Sequence, residues 1–155
     1  MIKIVSANRK ELIENAKDLF LEYAASLLFD LSFQDFEKEM AGFPDEYSPP
    51  HGRLLLAFYD EDLAGCVALR DLGNEICEMK RLYVKPAFRG LKIGRALAEA
   101  IIKAGRDIGY SRMRLDTVPS MKEAINLYLL LGFQHIKPYR YNPVEGASYM
   151  ELALD

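Results

Sequence analysis

The chain has few of the residues that form disulfides or bind metals. Its 155 residues include two cysteines and two histidines. Cys66 and Cys77 both fall within apolar stretches that predict strands, so we expect buried, reduced thiols and not a disulfide. His51 and His135 have neither Cys-x-x-Cys nor His-x-x-x-His spacing around them. The sequence therefore predicts no metal site.

Long apolar runs are also absent. No stretch approaches the ~20 apolar residues that a membrane span requires, and the start at Met1 does not resemble a signal peptide. Repeats, low-complexity tracts and linkers are missing too. Half of the residues are hydrophobic, which is enough for the core of one domain. We expect a single domain over residues 1–155, located in the cytoplasm and without a membrane partner.

The net charge of -3 conceals two regions of opposite sign. Between residues 78 and 114, ten basic residues face three acidic ones, which suits a polyphosphate ligand. Between residues 30 and 46 the balance is acidic, which suits a cationic one. The basic region is not interleaved with aromatic residues, so we expect no nucleic-acid partner.

Apolar spacing predicts the element order β-α-α-β-β-β-α-β-α-β-β. Asn8 with Glu11, and Ser120 with Glu123, have the spacing of capping boxes at helix starts. A further helix is predicted to begin at Ser32. The predicted strands span residues 2–5, 53–59, 63–72, 75–84, 112–117, 133–137 and 148–154, and the last helix spans residues 121–131.

The stretch Arg89–Ala96 joins a predicted strand to a predicted helix that begins near Gly94. Free amides at a helix start bind anions, and the glycines Gly90 and Gly94 let that backbone approach a ligand. An ordinary strand-to-helix turn with solvated charges is the alternative. The stretch matches neither a Walker loop nor a dinucleotide fingerprint.

Arg89-x-x-Lys92-x-Gly94 resembles the Arg/Gln-x-x-Gly-x-Gly/Ala loop of the GNAT superfamily of acetyl-CoA-dependent N-acyltransferases. Lys92 replaces the middle glycine, and its amide can still donate to a phosphate if its φ is negative. The stretch Ala124–Phe133 resembles the second family signature, Ala-x-x-Leu-Tyr-x-x-x-Gly-Phe. Met121 stands where many members carry an asparagine that contacts CoA. The element order also agrees, so the resemblance covers nearly the whole chain.

The resemblance implies a mixed α/β fold with a central, mostly antiparallel mixed sheet flanked by helices. It implies acetyl-CoA as the cofactor, with the pantetheine arm pairing with Leu82–Val84 as an added strand does. The Val84 amide would stabilise the oxyanion. The residues expected to bind the cofactor are Leu82, Tyr83, Val84, Arg89, Gly90, Leu91, Lys92, Ile93, Gly94, Arg95 and Ala96.

Two residues are candidates for acid–base catalysis. Glu78 matches the catalytic glutamate of the family's histone-modifying branch, and a period of two puts it on one face with Leu82 and Val84. An ion pair with Arg114 or Lys80 is the alternative for Glu78. Tyr128, in the second signature, is the candidate acid for the departing thiolate. Its alternative is a core tyrosine whose hydroxyl is bonded to the backbone.

By resemblance, the acceptor site is lined by the first two helices and the last loop. We expect Asp30, Tyr141 and Asn142 to contact the acceptor. Acidic and tyrosine side chains there would suit a cationic amine, and Arg140 would suit a carboxylate. A solvated acidic helix is the alternative for residues 30–46.

Two functions remain open. The first is an N-acetyltransferase that acts on a small-molecule or peptide amine by direct attack in a ternary complex. The second is a non-catalytic acyl-CoA-binding or sensing module, which the substitutions Lys92 and Met121 suggest. Either could be a monomer or a homodimer.

Overall fold

The computed structural model describes residues 1–27 and 36–154 of the chain. Within these ranges seven strands form one sheet with helices on both faces. The strands are β1 Ile2–Ser6, β2 Arg53–Tyr59, β3 Asp62–Gly73, β4 Ile76–Val84, β5 Arg112–Thr117, β6 Gln134–Ile136 and β7 Ser148–Ala153. The helices are α1 Lys10–Ser26, α2 Phe36–Ala41, α3 Ile93–Ile108 and α4 Lys122–Leu130, with short 3-10 turns at Asp45–Tyr47 and Pro86–Phe88.

The sheet order is β1-β2-β3-β4-β5-β7-β6, and only β4 and β5 are parallel neighbours among the described strands. The predicted mixed, mostly antiparallel sheet is therefore confirmed. Tight turns connect the antiparallel strands β2, β3 and β4. Asp60 and Glu61 take the left-handed φ values of 47° and 77° that suit a two-residue hairpin loop.

Each face of the sheet has its own apolar core. On one face α3 buries Leu97 and Ile101 against β2 to β5, and Tyr128 and Phe133 extend that cluster. On the other face α1 buries Leu19 and Phe20 beside residues from the segment 36–47. Cys66 and Cys77 are buried free thiols, as predicted.

A bulge in β4 changes which way its side chains point. Pairing with β3 shifts register between Cys66 and Ala68, and the opposing Arg81 has a φ of 59°. Beyond the bulge, Leu82 and Val84 pack on the α3 face, as Cys77 and Met79 do before it. Because Cys77 and Met79 flank Glu78, its side chain lies on the α1–α2 face. The prediction that Glu78 shares a face with Leu82 and Val84 is wrong, because the bulge breaks the period of two.

The parallel pair β4–β5 is hydrogen-bonded only near its start. The paired residues run from Ile76↔Arg112 to Glu78↔Arg114, although β4 continues to Val84 and β5 to Thr117. The two strands therefore separate after Glu78, and a cleft opens between them.

Both predicted capping boxes are wrong. Arg9 is the N-cap of α1 and Met121 that of α4, and neither makes a side-chain capping hydrogen bond. The predicted start of the second helix at Ser32 lies outside the described residues. No helix in residues 1–27 and 36–154 is long and apolar enough to cross a membrane.

Candidate active site

The N-terminus of α3 offers free backbone donors at the end of a basic loop. Lys92 is the N-cap, and its carbonyl accepts the first helical hydrogen bond, from the Ala96 amide, at 3.1 Å. The amides of Ile93, Gly94 and Arg95 precede that bond, so they have no partner within the helix. Together with the positive end of the helix dipole, they form a site suited to a phosphate group.

Lys92 has a φ of 66°, in the left-handed region. The Lys92 amide was expected to donate to a phosphate if φ were negative, and this condition is not met. A lysine in this conformation carries strain of roughly 1–2 kcal/mol. The backbone thus takes the shape that a glycine allows, even though lysine occupies the position.

Arg89 ties the loop to the end of β4. Its Nε donates to the Val84 carbonyl at 3.1 Å, and its guanidinium carbon lies 5.9 Å from the centre of the Tyr83 ring. The Tyr83 hydroxyl donates to Glu22 of α1 at 2.7 Å. The loop and the strand that are expected to hold the cofactor are therefore one connected structure.

The Val84 amide points away from β3. The Lys85 amide donates to the Ala64 carbonyl at 2.8 Å, so Gly65 and Val84 are a pair that does not exchange hydrogen bonds. The amide and carbonyl of Val84 therefore face away from β3, toward the side where β5 has separated. This is the orientation that an oxyanion donor requires.

The cleft brings together residues from β4, β5, α1, α4 and the segment before β7. Three predicted site residues, Leu82, Tyr128 and Asn142, lie in its wall. Other polar residues also line it, among them Tyr23, Lys80 and Asp116, which the sequence analysis did not name as site residues.

Tyr128 is buried, with 7% of its surface exposed, and its ring centre lies 5.7 Å from that of Phe133. No hydrogen bond of its hydroxyl is found within residues 1–27 and 36–154, and the oxygen is not fully enclosed, so it opens to the cleft. Burial raises the pKa of Tyr128 above its ordinary value, so the phenol keeps its proton. A neutral hydroxyl that opens to the cleft is what a proton donor needs.

Asp116 and Lys80 face the cleft from its two separated strands. The Asp116 carboxylate accepts a hydrogen bond from Asn142 Nδ2 at 3.2 Å. Burial, with the positive charges of Arg81 and Arg70, lowers the pKa of Lys80 to about 7. Among the residues that line the cleft, Asp116 provides a carboxylate that can pair with a cationic amine.

Glu78 lies outside the cleft wall and is completely buried. Its Oε1 accepts from Arg70 Nε at 2.8 Å, and its Oε2 accepts from the Tyr139 hydroxyl at 2.6 Å and from the Arg140 guanidinium. The ion-pair partners are thus Arg70 and Arg140, and not the anticipated Arg114 or Lys80. The base role of Glu78 stays a prediction.

The predicted acceptor residues are separated. Asn142 reaches the cleft, whereas Tyr141 is 75% exposed, and Asp30 lies outside the described residues. The sequence did contain a signal for Asp116. Met113, Leu115 and Thr117 are the buried positions of β5, so alternation places Asp116 on the opposite face.

Comparison with known proteins identifies the family of the chain. A family model described as the acetyltransferase (GNAT) family matches residues 13–133. An uncharacterized N-acetyltransferase of Schizosaccharomyces pombe is 39% identical over 155 residues, covering 99% of this chain and 95% of its own. Another from Dictyostelium discoideum is 34% identical over 216 residues, covering 99% of each chain.

Solved structures share the fold. A GNAT-family acetyltransferase of Staphylococcus aureus superposes with a TM-score of 0.80 at 21% identity, over 100% of both chains. A Salmonella typhimurium acetyltransferase, solved with its cofactor acetyl-CoA, gives 0.71 at 17% identity, over 99% of this chain and 94% of that one. The chain belongs to the GNAT family of acetyltransferases, as its motifs predicted.

Proposed function

We propose that the protein is an N-acetyltransferase that transfers the acetyl group of acetyl-CoA to a primary amine by direct attack in a ternary complex. One observation carries this proposal. The buried phenol of Tyr128 and the carboxylate of Asp116 line the cleft between β4 and β5, and the backbone amide of Val84 faces the same side of β4. These are the donor, acid and base that acyl transfer to an amine requires.

The loop residues fit the cofactor. The free amides at the start of α3 and the side chains of Arg89, Lys92 and Arg95 suit its phosphates. An ideal Cβ at Gly94 would meet only Val84 Cγ2, at 3.7 Å, so open space surrounds that position. Acetyl-CoA supplies the acetyl group as an activated thioester.

Val84 and Tyr128 have complementary roles in this proposal. The Val84 amide donates a hydrogen bond to the acetyl carbonyl oxygen as negative charge develops there. The Tyr128 hydroxyl holds a proton for the departing sulfur. Its raised pKa keeps the proton in place but makes the transfer less favourable in energy. Tyr128 therefore depends on close contact and on the exclusion of water.

The amine must lose a proton before it attacks. Two carboxylates are candidates for the base, Glu78 by resemblance and Asp116 by position. Geometry supports Asp116, because it lines the cleft and makes one hydrogen bond within residues 1–27 and 36–154. Glu78 would first have to release at least one of its three donors. Deprotonation by Asp116, directly or through water, is the simpler path.

An amine screen tests the proposal. Wild-type protein is incubated with acetyl-CoA and a panel of small amines, amino acids and peptides, and the release of free thiol is measured. Turnover on at least one class is the expected result. The alternative, a non-catalytic binding module, is supported by Lys92 and Met121 at positions that usually contact CoA. Tight CoA binding in calorimetry without turnover on any amine would favour it.

A further inference from the structure

Glu78 joins three parts of the chain that are far apart in sequence. Its carboxylate is fully buried, which is tolerated when both oxygens are paired. One partner, Arg70, belongs to β3, and it also binds Glu46 in the 3-10 turn at 3.1 Å. The other two, Tyr139 and Arg140, belong to the segment 137–147 that joins β6 to β7.

Further contacts fix this segment on the sheet. The Tyr149 hydroxyl donates to the Arg140 carbonyl at 2.8 Å, and the rings of Tyr149 and Tyr139 meet edge to face at 5.5 Å. The guanidinium carbon of Arg114 lies 5.4 Å from the centre of the Tyr139 ring. Tyr139 and Arg140 therefore form the anchored end of the segment.

The anchored end fixes the position of Asn142, which reaches the cleft. Asn142 follows Arg140 by two residues, and its amide contacts Asp116 at 3.2 Å. The Asn142 Oδ1 also accepts the Val144 amide at 3.0 Å. A shift of Arg140 would move Asn142 away from Asp116, because two residues cannot absorb a large displacement.

We propose that Glu78 is a positioning residue, which anchors the segment 137–147 and so holds Asn142 against Asp116 at the acceptor end of the cleft. This inference rests on the proposed function for its kinetic consequence. The anchoring itself does not depend on catalysis. In this arrangement Glu78 determines how well the acceptor binds, and it takes no proton from the amine.

The variant Glu78→Gln separates positioning from base catalysis. Glutamine keeps the size and one oxygen acceptor but loses the charge that holds Arg70 and Arg140. A positioning role predicts that KM for the amine rises by about tenfold to a hundredfold, the effect of losing a charge-assisted hydrogen bond, while kcat changes little. The acidic limb of the pH profile of kcat would remain. A base role predicts the reverse: kcat falls and the acidic limb disappears.

Glu151→Gln is the matched control. Glu151 lies on β7 and binds Arg114 at 2.8 Å and Arg112 at 3.4 Å. Within residues 1–27 and 36–154 it makes no hydrogen bond to the segment 137–147, and Arg114 keeps its positive charge, and with it the contact with the Tyr139 ring, when Glu151 is neutral. Losing its charge removes a salt-bridged carboxylate from the same region of the sheet. We expect KM for the amine in this variant to stay within about twofold of wild type, since such partly exposed pairs contribute little.

Hydrogen exchange provides a readout that needs no activity. In free Glu78→Gln, the amides of Val144 and Ala147 should exchange about tenfold faster or more, and in Glu151→Gln they should not. If no amine is ever turned over, faster exchange still supports the anchor and only the proposed function fails. Unchanged exchange at these amides overturns the inference, as does a loss of kcat with unchanged KM.

Variants of the residues that bind Glu78 test the inference if Glu78→Gln does not fold. Tyr139→Phe removes one donor and keeps the ring, and Arg140→Gln removes the ion pair. Both should raise KM for the amine and speed exchange at Val144. Wild-type values in both variants would overturn the inference.

Discussion

Lys92 occupies a backbone position that favours glycine, and this gives a prediction whose size follows from the structure. Its φ of 66° destabilises a lysine by roughly 1–2 kcal/mol, whereas glycine takes this conformation without strain. Glycine also makes the unfolded chain more flexible, which costs about 0.5–1 kcal/mol. Lys92→Gly should therefore stabilise the free protein by about 0.5–1 kcal/mol. For a domain of this length, that raises Tm by about 1–4 °C.

The effect on the cofactor should be separate from the effect on stability. The left-handed backbone is present without any ligand, so relief of strain raises Tm and leaves CoA affinity unchanged. Loss of the exposed Lys92 ammonium should weaken CoA binding. An exposed ion pair contributes about 0.2–1 kcal/mol, so CoA should bind up to about fivefold more weakly in Lys92→Gly. Its dependence on salt should also weaken.

Two further variants isolate the two effects. Lys92→Ala removes the ammonium but keeps a Cβ, so it should weaken CoA binding as glycine does without raising Tm. Glu75→Gly replaces another left-handed residue, with φ of 62°, in the turn before β4 and outside the cofactor loop. It should raise Tm and leave CoA affinity unchanged. Thermal melts and calorimetry at two salt concentrations measure both quantities. A Tm gain in Lys92→Ala equal to that in Lys92→Gly would refute the strain argument.

Three more substitutions test the site and the core. Tyr128→Phe should keep Tm and acetyl-CoA affinity, because the hydroxyl has no partner in residues 1–27 and 36–154. Its steady-state turnover should fall by roughly 10²–10⁴-fold. Full turnover would remove Tyr128 from the mechanism. Gly94→Val should fold but lose CoA binding in calorimetry, with Gly94→Ala as its milder control, and unchanged affinity would contradict the phosphate site. Tyr47→Phe should leave the free energy of unfolding unchanged or raise it by about 1 kcal/mol, since that buried hydroxyl has no partner in the described chain. Tyr110→Phe, which removes a bond to the His51 carbonyl at 2.7 Å, should lower it by about 1 kcal/mol in the same denaturant titration.

Local sequence patterns were sufficient for the strands and for the position of the loop between β4 and α3. The strand before the loop ends at Val84 as predicted, and α3 begins at Ile93, one residue before the predicted start. These features depend on nearby residues, namely alternation, glycines and a change to helical spacing. The predicted helix starts at Asn8 and Ser120 were wrong, because side-chain capping depends on local geometry that residue spacing alone does not determine.

The acceptor side could not be predicted in the same way. Tyr139 and Arg140 meet Glu78 across 61 and 62 residues, and no periodicity links positions so far apart. The bulge at Arg81 did leave a local signal, which the period-of-two reading passed over. Cys77 and Met79 alternate with charged residues, but Lys80 and Arg81 are adjacent charges and the apolar positions resume out of phase at Leu82. The shifted register with β3 shows that this break is a bulge.

The bulge at Arg81 accounts for the division of the site between the two faces of the sheet. Its φ of 59° is strained for an arginine, at roughly 1–2 kcal/mol. The buried ion pair with Glu39 of α2, at 2.8 Å, and the Phe36 ring, 5.4 Å from the guanidinium carbon, hold it there. Because of the bulge, β4 directs Glu78 and Lys80 toward the α1–α2 face and Leu82 toward the α3 face. Lys80 before the bulge and Leu82 after it therefore line one cleft from opposite faces, whereas Glu78 lies outside its wall.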